Sequence, residues 1–387
     1  MPNQAPIEHV VLIIKENHAF DNYFGTFPGA NGAKMPRSPN PPPKDPDHRH
    51  GAWLTRSKTA VRQQFIEQDI PAYFAYARQF TLCDNYFTDV AGPSTPNHLM
   101  LIAAASPVID NPSRYRLPVG GPLFNLPSLP ASLDKVNRTW RNYGGYAFDF
   151  IQGLHGRPSL SSGQFVKDAA AANLPAVSWL YAPHDASEHP PDPTDRGGNP
   201  LIGNVTHGMQ WTVDQVNAVV QGGLWPKSAI FITWDDWGGW FDHVDPPNVE
   251  IWKDPGTHPA FNGTQFRYGS RVGCLVLSPY AKRGYISKIL HSHVSLLKFC
   301  ETTFGLPPLN DRDAKTDGMS DCFDFAQNPA PAPQALGVGP LGPTYAQRHK
   351  PGPQPASSVS RPGTQSIGKK PPARHKKRPI RSRPKRK

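Results

Sequence analysis

Three apolar runs in this chain end in residues able to hold a cation. "HVVLIIK" is followed by Glu16 and Asn17. "AIFITW" is followed by Asp235 and Asp236, then by Gly238-Gly239 and Asp242-His243. "AVSWLY" opens into "APHDASEHPP", which carries His184, Asp185, Glu188 and His189. Carboxylates, an amide oxygen and imidazoles suit a divalent ion of hard or borderline character. Adjacent acids after a buried strand repel one another unless a cation or protons compensate, so Asp235-Asp236 is the firmest physical sign of a metal. Any one such pair could instead cap a following helix. Three strand ends presenting such residues together favour the metal.

A nucleophile is available in "DVAGPSTPNHLMLIAAAS", residues 89–106. Thr95-Pro96 reads as a helix start, with Thr95 as the N-cap and Pro96 in the first turn. Ser94 then sits just ahead of a helix N-terminus, where free amides and the dipole favour a phosphate group. A serine hydroxyl is weakly nucleophilic at neutral pH, and coordination to a metal would deprotonate it. The plainer alternative is that Ser94 helps to cap the helix.

The elements that must position these groups are short β-branched or aromatic runs without strict alternation, the pattern of strands covered on both faces. They are "VVLII", "AVSWLY", "AIFITW" and "VGCLVL". Between them, "QDIPAYFAYARQF", "QWTVDQVNAVVQ" and "SHVSLLKFCETTF" repeat apolar residues at helical spacing. The alternation predicts an α/β layered domain around a mostly parallel sheet, with ligands beyond the carboxyl ends of its strands. Residues 28–52 are rich in Pro and Gly and read as a long loop of the kind that often carries function.

The totals bound the partners. The net charge is +11, but fourteen Lys/Arg and no acid follow from Arg348 onward, leaving 27 basic against 30 acidic residues and a balance of −3 before it. The basic excess therefore belongs to a Pro-rich tail, expected to be disordered from residue 327 to 387, behind a folded domain of residues 1–326. Cys83, Cys274, Cys300 and Cys322 form no C-x-x-C pair, which argues against a metal–thiolate site and a dense disulfide framework. No apolar run reaches the roughly 18 residues of a membrane span. No export signal is visible, so the chain as written reads as cytoplasmic.

Five stretches, "HVVLIIKENHAFDNYFGTFPG", "GPSTPNHLMLIA", "LPAVSWLYAPHDASEHPP", "ITWDDWGGWFDHVDPP" and "GCLVLSPYAKRGYIS", occur in the order found in the bacterial phosphoesterase family. The chain resembles that family over about residues 7–325. The family contains nonspecific phospholipases C and acid phosphatases, many of them exported, and its fold is alkaline-phosphatase-like, a layered sandwich with a central mostly parallel sheet flanked by helices. The resemblance implies a metal-dependent phosphoric-ester hydrolase. It places Glu16, Asn17, Asp235 and Asp236 as ligands of a divalent metal ion and Ser94 as the nucleophile that becomes phosphoserine. His189 matches a histidine bordering the reacting phosphate, and His243 another near the site. The implied substrate is a phospholipid or a small phosphomonoester.

The chain departs from many relatives at His98, where they have Arg, at Trp237, where they have His, and at Ser292-His293, where they have Asp-His. His98 is a titratable group in place of a permanent charge. His293 receives no role, and either His48 or His50 of the "DHRH" loop is expected to reach the site. Trp234, Trp237 and Trp240 would line a pocket for an apolar or choline-like group, or else pack in the core. "STPNH" loosely resembles a sulfatase signature without its arginine. A different class of function is a polyanion- or nucleic-acid-binding protein that uses the basic tail and carries a degenerate enzyme body.

Overall fold

The computed structural model describes residues 6–112, 123–193, 195, 198–251 and 265–333. Eight strands form the central sheet: β1 (His9–Lys15), β2 (Thr81–Cys83), β4 (Trp140–Tyr143), β5 (Ser159–Leu160), β6 (Val177–Tyr181), β7 (Ser228–Trp234), β10 (Cys274–Leu277) and β11 (Tyr285–Ser287). Their order is β11-β2-β10-β7-β1-β6-β4-β5. Two short pairs stand apart, β3 (Tyr86–Phe87) with β12 (His291–Ser292) and β8 (Asn248–Ile251) with β9 (Gln265–Arg267). Strand β10 runs antiparallel to both of its neighbours, and every other pairing in the sheet is parallel. The sheet is mostly parallel, as the unalternating runs predicted.

The two faces of the sheet are covered by different helices. In register, Leu12 of β1 lies between Trp179 of β6 and Phe231 of β7, so these three share a face. The Trp179 indole donates to the Leu101 carbonyl of the Ser94–Ala103 helix, and Phe231 packs on Phe299 of the His293–Phe304 helix with ring centroids 5.0 Å apart. Lys15 and Trp234 are also paired in register, but three residues further on, and so point to the other face. There Trp234 meets Tyr73 of the Pro71–Gln79 helix, and Lys15 lies over Trp211 of the Val205–Gln221 helix. The result is a helix–sheet–helix sandwich.

Lys15 follows five buried apolar residues at the end of β1 and is itself buried. Its ammonium pairs with Glu188 Oε1 at 3.2 Å and donates to the carbonyls of Ala186 and Gly208. Burial holds the Lys15 pKa below its ordinary value, against the pull of Glu188. Glu188 also accepts hydrogen bonds from Tyr23 at 2.8 Å, Tyr73 at 2.6 Å and Trp234 at 2.9 Å. It thus joins the β6 loop to the Phe20–Phe24 and Pro71–Gln79 helices, to β7 and to β1. The sequence reading of Glu188 as ligand-type is corrected accordingly.

Three other expectations change. The helix expected to start at Thr95 begins at Ser94, with Pro93 at the cap position. The loop predicted for 28–52 already contains the first turn of a helix, His50–Leu54. Residues 327–333, assigned by composition to the tail, are tied to the body. Gln327 donates to the carbonyls of Pro279 and Ala281, and buried Ala330 accepts from the Trp225 indole at 3.1 Å. The expectation for 334–387 lies outside the described residues. Among the described residues no helix is long and apolar enough to cross a membrane.

Candidate active site

Strands β1 and β7 are parallel neighbours, with Lys15 opposite Trp234, so the residues that follow them emerge side by side. The Asp235 amide donates to the Lys15 carbonyl at 2.9 Å. Asp235 Oδ1 accepts from the Asn17 amide at 3.0 Å and from the Asp236 amide at 2.8 Å. Asp236 Oδ1 accepts from the Gly238 amide at 2.7 Å. Gly238 has φ +57°, and a Cβ there would fall 2.1 Å from the Asn17 carbonyl oxygen. Only glycine lets the acidic loop lie this close to the end of β1. Asn17 is itself left-handed, at φ 59°, a conformation that Asn tolerates better than most residues.

Ser94 Oγ lies 3.0 Å from Asp236 Oδ2 and 3.4 Å from Glu16 Oε2. Its single proton can serve one carboxylate at a time. His98, one turn further along the same helix, places Nε2 3.1 Å from Asp235 Oδ2 and 3.8 Å from Glu16 Oε1. The His98 ring packs between Tyr146 and Tyr181, each with a centroid distance of 5.0 Å. The structure therefore brings Glu16, Asn17, Ser94, Asp235 and Asp236 together, and adds His98. In the sequence His98 stands out only as the residue that replaces the family's Arg; its distance to the acids is set by how the helix docks on the sheet.

The electrostatics of this cluster are costly. Burial, then the charges of Asp235 and Asp236, holds Glu16 well above the ordinary carboxylate range. Burial, then Asp235, does the same to Asp236. Burial also pulls Asp235 upward, but His98, the Asn17 amide and Ser94 together bring it below its ordinary value. Asn17 Oδ1 is a buried acceptor without a hydrogen bond, and Asp235 Oδ2 has the His98 imidazole beside it at 3.1 Å. Two carboxylates on one hydroxyl, a third carboxylate beside them and the unpartnered Asn17 oxygen form a donor set suited to a divalent ion. Glu16, His98 and Asp235 offer donor atoms within 4.8 Å of one another.

A second group adjoins the first. Asp45, His48 and His189 present donors within 4.8 Å of one another, and His48 Nε2 lies 3.3 Å from Asn17 Nδ2. Of the two loop histidines, His48 is the one that reaches the site. His50 instead caps against the Ala91 carbonyl at 2.6 Å from Nδ1. His189 Nδ1 donates to the Pro190 carbonyl at 2.7 Å, which leaves Nε2 as its working nitrogen. The His189 and His48 rings are 6.1 Å apart.

Other expected residues fall elsewhere. His243 pairs with buried Asp21 at 2.7 Å and lies 3.2 Å from Asn31 Oδ1, within a network that also holds Arg271 and Asp242. It makes no hydrogen bond to the Ser94 cluster. His184 pairs with Asp195. His293 is buried behind the acids, its Nε2 2.7 Å from the Asp235 carbonyl and its Nδ1 2.9 Å from the Tyr86 hydroxyl, and so braces the end of β7. Trp234, Trp237 and Trp240 are all buried. Trp237 donates to the His48 carbonyl and Trp240 stacks on His18, so these two indoles pack the loops around the site. The Thr95 amide is taken by Asn111 Oδ1 at 2.8 Å, which removes one donor expected to face the substrate.

A buried serine at a helix start thus faces paired acids beyond the ends of parallel strands. The family pattern of the Phosphoesterase family matches residues 7–47 and 46–307, and the chain belongs to that family. It is a phosphoric ester hydrolase. It is similar to phospholipase C B of Mycobacterium tuberculosis, 26% identical over 431 residues that cover 84% of this chain and 79% of the relative. It is also similar to the non-hemolytic phospholipase C of Pseudomonas aeruginosa, 26% identical, covering 95% of this chain and 65% of the relative. Among solved structures, it is similar to a Vibrio parahaemolyticus protein of the alkaline phosphatase superfamily, with a TM-score of 0.45 and 9% identity over 81% of this chain and 69% of that one.

Proposed function

We propose that this chain cleaves a phosphoric ester in two steps, with Ser94 as the nucleophile and a phosphoseryl intermediate, and that its substrates include phosphodiesters of the phospholipase C type. The observation that carries the reading is the Ser94 hydroxyl held 3.0 Å from Asp236 and 3.4 Å from Glu16. Glu16, Asn17, Asp235 and Asp236 would hold a divalent metal ion, with His98 beside them. When bound, such an ion supplies Lewis-acid neutralisation of charge on phosphorus and lowers the pKa of an adjacent hydroxyl.

The chain's own residues do the rest. Asp236 accepts the Ser94 proton and orients the oxygen lone pair. The Gly238 and Asn17 amides fix the two aspartates, so no reorganisation is needed when Ser94 attacks. The Ser94 oxygen forms a bond to phosphorus as the bond to the ester alcohol breaks. His189, protonated at Nε2, gives a proton to the departing alcohol oxygen, and its Nδ1 bond to Pro190 holds the ring. Water then bonds to phosphorus as it gives a proton to His189, the Ser94–phosphorus bond breaks, and Asp236 returns its proton to the Ser94 oxygen. The two phospholipase C relatives support a diester with a large leaving group.

The test is a panel of p-nitrophenyl phosphate, bis-p-nitrophenyl phosphate and p-nitrophenylphosphorylcholine, assayed after chelation and again with divalent metals restored. The reading requires restored turnover of a phosphate ester by the unvaried chain and none by Ser94→Ala. Turnover by Ser94→Ala at a rate near that of the unvaried protein would remove Ser94 from the reaction.

A further inference from the structure

A second set of ligand-type side chains lies at the sheet edge, among residues that the Ser94 site does not use. The cysteines, scattered in sequence, are partly gathered by the fold. Cys83 ends β2, Cys322 ends the short helical turn Ser320–Cys322, and His291 opens β12. All three are buried. Cys83 Sγ and Cys322 Sγ are 3.7 Å apart, short of a disulfide but close. His291 Nε2 lies 4.0 Å from Cys322 Sγ and 3.1 Å from Asp321 Oδ1. Asp321 Oδ1 is in turn 3.5 Å from Cys322 Sγ.

We propose that Cys83, His291, Asp321 and Cys322 form a structural zinc site that clamps the C-terminal segment to the edge of the sheet. Zinc bonds of about 2.3 Å to sulfur and about 2.0–2.1 Å to nitrogen or oxygen put tetrahedral donors about 3.3–3.8 Å apart. Four of the six separations run from 3.1 to 4.0 Å; Cys83, His291 and Cys322 present donors within 4.8 Å of one another, and Asp321, outside that group, would have to draw closer to Cys83 on binding. The surroundings are those of a metal-bound imidazole and carboxylate. His291 Nδ1 lies 3.1 Å from Asp317 Oδ1, the carboxylate–histidine arrangement that orients a ligand ring. Asp321 Oδ2, the oxygen facing away, accepts from Ser287 Oγ at 2.5 Å and from the Tyr285 hydroxyl at 3.3 Å. Binding would release the two thiol protons to solvent and leave two thiolates, one neutral imidazole and one carboxylate on the ion.

The position explains what the clamp would do. β2 and β11 form one end of the sheet, and the segment after the last long helix must close against them. Lys282 donates to the Cys322 carbonyl, and Ala281 forms an isolated bridge with Phe323. The zinc would add a cross-link from β2 to this segment. The competing arrangement uses the same atoms without metal. There a protonated His291 sits between Asp317 and Asp321, with Nε2 also 3.1 Å from Ser287 Oγ and both cysteines as thiols.

Cobalt(II) separates the two, because sulfur-to-cobalt charge-transfer absorption reports thiolate ligands and the oxygen-rich Ser94 site has none. The full chain, prepared with reductant and stripped by chelator, is titrated with cobalt(II). The proposal requires an intense near-ultraviolet band that saturates at one equivalent, is displaced by zinc, persists in Asp236→Asn and Cys300→Ala, and is lost in Cys322→Ala. Native mass spectrometry of Asp236→Asn, whose Ser94 site is disabled, should show one bound zinc. This reading stands even where Cys322→Ala fails to fold. Absence of the band in the unvaried protein, a band unchanged in Cys322→Ala, or recovery of Cys83 and Cys322 as a disulfide from reduced preparations would each overturn it.

Discussion

Replacing Asp236 with Asn should stabilise the metal-free protein and abolish the stabilisation that an oxygen-preferring ion such as magnesium gives through the Ser94 site. Asp236 Oδ2 and Glu16 Oε2 both contact Ser94 Oγ, at 3.0 and 3.4 Å, so they lie no farther apart than the sum of those distances. Two unit charges at roughly 6 Å repel by about 3 kcal/mol at an effective dielectric of about 20. Asparagine keeps the oxygen that the Gly238 amide needs and removes the charge. A carboxyl can also escape by taking a proton, so the repulsion is a ceiling, and a gain of about 2 kcal/mol is the working figure. In a domain of this size that amounts to a rise in Tm of about 3 °C. With metal present the order reverses, because an ion at about 100 times its Kd adds about 2.7 kcal/mol to a protein that binds it. Differential scanning fluorimetry with chelator and with excess magnesium reads both signs. An Asp236→Asn protein less stable than the unvaried one under chelation, or stabilised equally by magnesium, would refute the reasoning.

The remaining predictions concern separate parts of the molecule. Because Glu16 and Asp236 are held above the ordinary carboxylate range, the folded metal-free protein binds protons that the unfolded chain releases. Its stability should therefore fall as pH rises above about 4, and a denaturation series showing a rise there would contradict the assignment. Burial and Asp313 push Glu301 up to about 8, so Glu301 costs stability progressively from the ordinary carboxylate pKa up to that value. Glu301→Gln should flatten that part of the pH–stability curve, and an unchanged slope would be the contrary result. Lys15→Met leaves Glu188 buried without its cation and should cost about 3–5 kcal/mol, with Lys15→Met/Glu188→Gln losing less than the two single changes combined. Additive losses by urea denaturation would mean that the pair is not coupled.

Much of the scaffold could be read from the chain because its central strands are long enough to show. β1, β6, β7 and β10 were each marked by an unbroken β-branched or aromatic run. β2, β5 and β11 are two or three residues long and carry no period of their own, so only pairing in the folded sheet defines them. Glu16, Asn17, Asp235 and Asp236 were legible because polar residues directly follow buried strands. The 3.8 Å approach of His98 to Glu16 depends on how a helix docks on the sheet, which no local pattern encodes. Lys15 was a missed signal: a buried ammonium at a strand end demands a partner, and that demand points to Glu188 as an anchor. The gathering of Cys83 and Cys322 joins the second strand to the last described segment, a separation that spacing motifs do not detect.

The measurement closest to the central claim is an acid quench of the metal-restored enzyme during turnover of p-nitrophenyl phosphate, followed by mass spectrometry of the peptide that contains Ser94. The account predicts a phosphoryl group on Ser94 that appears with p-nitrophenol release and is absent from Ser94→Ala. Rapid turnover with an unmodified Ser94 at every time point, or a phosphoryl group on another residue, would contradict it.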